Sequence, residues 1–260
     1  MAELFEKQAK QYVDGRPSYP PQLFQFIASK TPSHHRAWDV ATGNGQAAKS
    51  LAALYENVIA TDASEKQLEF AEKISNVRYE YTPPTMSLAE LEQIVAPQGT
   101  IDLVTIAQAL HWFHLPTFYE QVKLVLKKPH GVIAAWRYDL PGFCDAVLDS
   151  ILHQLYFFDL DPYWETKSRS VREKFLSFDF PFVPVDTDHT GPFEFVMETM
   201  MDLDSLFTYI RSLSAYQTAK EKGVEILRED VVEKFKLAWG EDGQKVARSP
   251  IYLRIGRVSD

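Results

Sequence analysis

The sequence has a single cysteine, fewer positive than negative charges and no long apolar run, and each of these features argues against a class of protein. With one cysteine, Cys144, among 260 residues, the chain can form neither an internal disulfide nor a Cys-rich zinc framework. The net charge of −9 disfavours binding to nucleic-acid phosphates or to an anionic membrane, because such sites need clustered Lys and Arg. No run approaches the ~18 apolar residues of a membrane span. We expect no nucleic-acid partner and no membrane partner.

Targeting signals are also not found at either end of the sequence. Residues 1–20 mix charges and lack the apolar stretch of a secretory signal, and the last residues, RIGRVSD, carry no retention or peroxisomal address. The hydrophobic fraction of 45% and the charged fraction of 24% are those of a globular protein. We therefore expect a soluble, cytoplasmic protein whose oligomeric state is open.

The first half of the chain alternates strand-like and helix-like segments. Short apolar or β-branched runs predict five strands, at residues 36–41, 57–61, 77–81, 101–106 and 132–136, and amphipathic segments between them predict helices. Alternation of this kind is typical of βαβ units, and hence of an α/β fold with a doubly wound, mostly parallel sheet. Such sheets bind ligands at the carboxyl ends of their strands.

From residue 138 onward the pattern changes. Helices are predicted at 143–158, 171–178, 203–216 and 224–239, an antiparallel strand pair at 180–185 and 193–197, and a last strand at 251–258. The length suits one large domain with an insert, so we divide the chain into a core with its leader (1–137), an insert or lid (138–248) and a final core strand (249–260). More than half of the aromatic residues lie at 136–260, where they form either the core of the insert or a pocket for an aromatic ligand.

A glycine-rich turn joins the first predicted strand to the helix that follows it. The turn reads Gly43-x-Gly45-x-x-Ala48, and glycine there lets the backbone approach a ligand at the amino end of the helix. Asp62 ends the next strand, 17 residues after Gly45, where a carboxylate can accept both hydroxyls of an adenosine ribose.

Two cofactor classes use this arrangement, and Asp39 favours one of them. Asp39 lies inside the strand, four residues before Gly43. Burying an anion there is costly unless it meets a cation. The ammonium of S-adenosylmethionine (SAM) is such a cation, whereas the pyrophosphate of a dinucleotide would be repelled. Alternatively, Asp39 braces the turn through hydrogen bonds.

Three motifs in order identify a resemblance. Asp39–Gln46, DVATGNGQ, resembles the first motif of class I SAM-dependent methyltransferases. The stretch AQALHWF at 107–113 is similar to the "AQAxHWF" of the trans-aconitate methyltransferase-like group, the type 11 domain, and residues 12–20 resemble that group's "YxxxRPxYP" leader. The sequence looks closest to the plant branch, which includes pinosylvin-type stilbene O-methyltransferases. The resemblance implies a Rossmann-like, seven-stranded sheet, with the insert as an acceptor-side lid.

The resemblance also implies roles for individual residues at the cofactor. Tyr12 and Arg16 would close over the methionine end of SAM, the Asp39–Gln46 motif would cradle that end, Asp62 would hold the ribose, and Ala107 and Gln108 would lie near the sulfonium. The cofactor-site residues are thus Tyr12, Arg16, Asp39, Thr42, Gly43, Gly45, Gln46, Asp62, Ala107 and Gln108. The chain departs from the group at 81–86, YTPPTM, where relatives tend to carry an acid, so the contacts to adenine stay open.

The sequence leaves two kinds of methyl acceptor open, a phenol and a carboxylate. A phenol (pKa ~10) needs a base, for which His111 is the candidate, although His111 is otherwise a packing residue beside Trp112. A carboxylate is already ionised and would instead need a cation such as Arg211. The predicted acceptor contacts are Trp112, Trp136, Tyr138, Arg211 and Tyr216, and we expect no metal.

The sequence therefore predicts a SAM-dependent O-methyltransferase of a phenolic hydroxyl on a small, stilbene-like molecule. Carboxyl methylation of a small acid such as trans-aconitate is the second hypothesis. A nicotinamide-dependent oxidoreductase and a catalytically silent SAM-binding module remain as alternatives of other classes.

Overall fold

The computed structural model describes residues 18–165, 179–185, 188–241 and 243–259. Seven strands in these ranges form one mixed sheet in the order β3-β2-β1-β4-β5-β7-β6. The strands are β1 (Arg36–Val40), β2 (Asn57–Asp62), β3 (Val77–Tyr81), β4 (Leu103–Ala107), β5 (Val132–Tyr138), β6 (Phe193–Met201) and β7 (Lys245–Arg257). The first five pair in parallel, and β7 runs antiparallel to both β5 and β6. The predicted doubly wound, seven-stranded α/β sheet is confirmed.

Helices connect and cover these strands. They are α1 (Pro21–Ser29), α2 (Gln46–Ala52), α3 (Glu65–Glu69), α4 (Leu88–Ile94), α5 (Leu115–Val125), α6 (Ala146–Gln154), α7 (Leu203–Arg211), α8 (Ser214–Glu221) and α9 (Glu229–Trp239). Local capping explains several starts: the Ser64 hydroxyl accepts from the Gln67 N–H at α3, and Ser87 and Glu90 form a reciprocal capping box at α4.

Both faces of the sheet are buried. On one face α1, α2 and α6–α9 pack in a single core with Trp136, whereas α4 and α5 cover the other face, to which Ala135 belongs. Aromatic side chains of the second half, including Phe143, Phe235 and Trp239, lie in the first of these cores. Their packing supports the interpretation of those residues as the core of the insert.

Several predictions for the second half were wrong. Residues 180–185 and 193–197 do not pair with each other: β6 pairs with β7, and Val183 makes a single bridge to Arg257. The partner of β6 lies more than forty residues further along the chain, so a local pattern cannot reveal it. The helix predicted over 203–216 is two helices, α7 and α8, and α9 begins at Glu229 rather than at 224. The helix predicted at 171–178 lies outside the described residues, and the division into core and insert stays a prediction.

Candidate functional site

A cavity of about 420 Å³ lies at the carboxyl ends of β1, β2 and β4. Because β1 lies between β2 and β4, the strand order reverses there, which is where open α/β sheets bind ligands. The volume is that of a small-molecule site. Five of the predicted site residues are on its lining: Gly43, Asp62, Ala107, Gln108 and Trp112.

The two glycines of the turn are required for different reasons. Gly43 has φ +58° and lines the cavity, and the nearest atom to a Cβ placed there would be Gln67 Oε1 at 3.9 Å. Gly43 therefore leaves open space for a ligand. Gly45 has φ +83°, and a Cβ there would come within 2.6 Å of the Tyr79 hydroxyl. Glycine is thus needed at position 45 because it adopts this left-handed backbone without strain and leaves room for Tyr79. The contact with Tyr79 was not predicted from the sequence.

The Asp62 carboxylate is held in place by the backbone. Its Oδ2 accepts from the Gly43 N–H at 2.8 Å, and its Oδ1 accepts from the Ser64 N–H at 2.9 Å. Burial raises the pKa of this carboxyl, and the backbone hydrogen bonds oppose that rise. Since each carboxylate oxygen has a second lone pair, Asp62 can still accept two ligand hydroxyls inside the cavity.

Asp39 lies beneath the turn and does not line the cavity. Its side chain is 1% exposed, and its two oxygens accept from Thr105 Oγ1 at 2.6 Å and from Thr42 Oγ1 at 2.5 Å. Burial raises the pKa of Asp39 to about 6, against the hydrogen bonds from Thr105, Thr42 and the backbone of Ala48. In the described residues Asp39 acts as a brace between β1, β4 and the turn.

The segment after β4 contributes both strain and an unsatisfied donor. Gln108 has φ +60°, which is uncommon for a residue with a side chain and is often seen at functional sites. Its buried Nε2 has no hydrogen-bond partner among the described residues. His111 follows in a short 3₁₀ helix (Leu110–Trp112); its ring lies 4.6 Å from that of Trp112, and it does not line the cavity.

Other predicted site residues lie away from this cavity. Trp136 is fully buried, and its ring packs 5.5 Å from that of Tyr19, which also contacts the ring of Tyr138 at 6.2 Å. The Tyr216 hydroxyl donates to Glu225 at 2.6 Å, and the Arg211 guanidinium lies 5.9 Å from the Phe207 ring. Besides Asp39 and His111, the predicted site residues that do not line the cavity are Thr42, Gly45, Gln46, Trp136, Tyr138, Arg211 and Tyr216. Tyr12 and Arg16 lie outside the described residues.

Sequence reasoning missed one wall of the cavity. Residues 82–86, which follow β3, line it together with Gln121 of α5. Gln121 Nε2 donates to the carbonyl oxygen of Met86 at 2.6 Å, so the two sides are joined directly. The sequence feature that could have indicated this wall is Gln121 itself, a glutamine on the apolar face of a predicted helix, three residues after Phe118.

Two further observations concern metals and membranes. Within the described ranges, no group of three His, Cys, Asp or Glu side chains is placed to hold a metal ion. No helix among those residues is long and apolar enough to cross a bilayer.

This chain is similar to known proteins in sequence and in fold. Residues 38–135 match the methyltransferase domain family. A predicted methyltransferase of Dictyostelium discoideum is 27% identical over 262 residues, covering 98% of this chain and 95% of that protein. The solved structure of a predicted type II methyltransferase from Anaeromyxobacter dehalogenans has a TM-score of 0.80 at 27% identity, covering 94% of this chain and 99% of the other. A Saccharomyces cerevisiae protein assigned as a SAM-dependent methyltransferase is 31% identical over 137 residues, 52% of this chain and 46% of the yeast protein.

Residues 38–135 are thus similar to a methyltransferase domain, and nearly the whole chain is similar to two proteins named as methyltransferases. The names of the three relatives specify no methyl acceptor, so the acceptor stays a prediction.

Proposed function

We propose that this chain transfers a methyl group from SAM to a phenolic hydroxyl of a small, stilbene-like aromatic molecule. The observation that carries the cofactor part is the cavity beside the glycine turn, with Asp62 held by two backbone N–H groups at its edge. The acceptor part rests on the sequence resemblance and on the position of His111 just beyond β4.

The described residues fit SAM. Asp62 presents carboxylate oxygens to the cavity for the ribose hydroxyls, and Gly43 leaves its backbone open to the ligand. Nε2 of Gln108, which has no partner in the part of the chain that the structure describes, is a buried donor on the same lining, and a bound ligand would satisfy it. When bound, SAM supplies a methyl group on a positively charged sulfur, with S-adenosylhomocysteine as the product.

A dinucleotide fits the turn less well. The Gly43 N–H, which would face a phosphate, is already donated to Asp62. The Asp39 carboxylate lies below the start of α2, within hydrogen-bonding reach of the Ala48 backbone, where a pyrophosphate would meet a second anion. Both features disfavour a nicotinamide-dependent oxidoreductase.

The acceptor chemistry determines what His111 does. In methyl transfer to a phenol, the acceptor oxygen bonds to the methyl carbon, the carbon–sulfur bond breaks with its electrons staying on sulfur, and the phenolic proton passes to a base. His111 is our candidate for that base, and a positioned base contributes about 10²–10⁴-fold to the rate. The rest of the protein aligns the acceptor with the methyl group.

Carboxyl methylation is the less favoured form. Its predicted cation, Arg211, already has an anionic neighbour: the pKa of Glu225 is raised by burial but lowered overall by hydrogen bonds from Tyr216 and Leu227 and by the charges of Lys220 and Arg211. A carboxylate acceptor would have to compete with Glu225 for that guanidinium.

Binding and turnover measurements test the proposal in sequence. SAM or S-adenosylhomocysteine at a hundredfold its Kd should stabilise the protein by about 2.7 kcal/mol and raise Tm by about 5–10 °C, whereas NAD should not. Radiolabelled methyl transfer is then measured across panels of phenols and small carboxylic acids, and we expect product with phenols. Stabilisation by NAD alone would refute the cofactor assignment. Tight SAM binding without product in either panel would favour the silent module.

One variant tests the base directly. We expect His111→Ala to lower kcat for a phenol at least tenfold without changing the Kd for SAM. His153→Ala, at an exposed position on α6, is the matched control and should leave both values unchanged. Unchanged turnover in His111→Ala would mean that His111 only packs against Trp112.

A further inference from the structure

Gln121 is a buried amide on the wall of the cavity. It belongs to α5, is 9% exposed and lies among apolar neighbours on the buried face of the helix. Burying an amide is costly unless its polar atoms are paired. Part of that requirement is met by Met86, whose carbonyl oxygen accepts from Gln121 Nε2 at 2.6 Å.

The contact with Met86 fixes the orientation of the amide. Rotating the amide by 180° would bring Oε1 against the Met86 carbonyl oxygen, and two acceptors at that distance repel. Oε1 and the second N–H of Nε2 are therefore the groups left to a ligand. An adjacent acceptor and donor are complementary to an adenine edge, which carries an amino donor beside a ring-nitrogen acceptor.

Two other amides line the cavity, but they lie elsewhere on it: Gln67 Oε1 is the atom nearest to a Cβ placed at Gly43, and Gln108 directly follows β4. Asp62 is the one carboxylate on the described lining, and it lies at the glycine turn. Residues 82–86 supply threonine hydroxyls, prolines and Met86 to the lining. A hydroxyl can rotate to donate or to accept, so it discriminates poorly between an amino group and a carbonyl oxygen.

We propose that Gln121 recognises the amino edge of adenine and makes the cofactor site selective for adenine over hypoxanthine. This inference rests on the proposed function, because it presumes that an adenosyl group occupies the cavity.

Calorimetric titration of the purified full-length protein tests the inference with two ligands. S-adenosylhomocysteine carries the amino group, whereas S-inosylhomocysteine has a carbonyl oxygen in its place and a proton on the neighbouring nitrogen. We expect the wild-type protein to bind the adenosyl ligand at least tenfold more tightly, because the inosyl ligand sets acceptor against acceptor.

Two variants separate recognition from wall packing. Gln121→Leu should bring the two affinities within threefold of each other. Gln217→Leu is the matched control: Gln217 also donates its amide to a backbone carbonyl, that of Arg211 at 2.6 Å, but it does not line the cavity. This control should bind both ligands like the wild type.

Each outcome bears on the inference. Equal wild-type affinities for the two ligands, or an unchanged ratio in Gln121→Leu, would overturn it and leave the cofactor class standing. If neither ligand binds the wild-type protein, the proposed function fails and the inference falls with it. Thermal melts of the variants without ligand show whether a lost affinity comes from unfolding.

Discussion

The buried carboxyl of Asp39 should make cofactor affinity depend on pH. Burial raises its pKa to about 6, the Thr105 and Thr42 hydroxyls oppose that rise, and the charge of Asp62 adds to it. With a pKa of about 6, Asp39 is roughly nine-tenths ionised at pH 7 and one-tenth ionised at pH 5. If the ammonium of SAM binds next to the ionised form, affinity should rise about tenfold between pH 5 and pH 7.

Titration calorimetry with S-adenosylhomocysteine at pH 5, 6 and 7 measures this change. Repeating the pH 6 titration in buffers of different ionisation enthalpy should show release of about half a proton on binding. Asp39→Asn is the control, because the hydroxyls of Thr42 and Thr105 can rotate to accept from an amide. Its affinity should lose the part of the pH dependence that Asp39 supplies, while any part due to Asp62 remains in both proteins.

Without ligand, ionisation of the Asp39 carboxyl lowers the stability of the folded protein. Because the folded pKa lies above the value of 3.8 for an unperturbed Asp, the stabilising contribution of Asp39 is complete below pH ~4 and is lost as pH rises through about 6. The loss is about 3 kcal/mol, from a shift of about two units at 1.36 kcal/mol each. The free energy of unfolding of Asp39→Asn, measured in urea, should therefore increase relative to that of the wild type as pH rises from 4 to 7. Wild-type affinity that is flat from pH 5 to 7, or an equal slope in Asp39→Asn, would refute the cation role and leave Asp39 as a brace only.

Two further predictions concern the glycine turn. Asp62→Ala should lower SAM affinity at least tenfold and also lower Tm, since it leaves the N–H groups of Gly43 and Ser64 without their acceptor at about 1–3 kcal/mol each; near-normal affinity in calorimetry would contradict the ribose assignment. Gly45→Ala should destabilise the chain by at least about 1–3 kcal/mol in urea unfolding, because of its φ of +83° and its approach to Tyr79. Part of that loss should be recovered in the double variant with Tyr79→Phe, and no recovery would mean that the hydroxyl is not the obstacle.

The parallel half of the sheet was predictable because each βα unit carries its own signal. Residues 57–61 and 132–136 were predicted as strands, and the structure has Asn57–Asp62 and Val132–Tyr138. The antiparallel edge was not predictable in the same way. A strand such as β6 alternates exposed and buried residues whichever partner it has, so only the fold decides that β7 pairs with it.

In the candidate site, too, the residues at strand ends were predictable, whereas those that depend on distant contacts were not. Gly43, Asp62 and Gln108 lie at or just beyond the carboxyl ends of strands, and the strand-end rule placed them on the cavity. Tyr216 was predicted as an acceptor contact, but its hydroxyl bonds to Glu225, nine residues further on. Gln121 was missed because its partner, Met86, lies 35 residues away, and a hydrogen bond over that separation leaves no periodic trace in the sequence.

The position of β7 has a consequence for how the molecule assembles. This strand is contributed by residues 245–257, yet it lies between β5 and β6 and pairs with both. Strand β6 therefore has nothing to pair with until a segment more than a hundred residues beyond β5 has docked, and such distant closures are slow. The five parallel strands can pair with one another before that segment docks. We therefore expect β6 to be the last strand whose amides become protected from exchange during refolding, and never before those of β7.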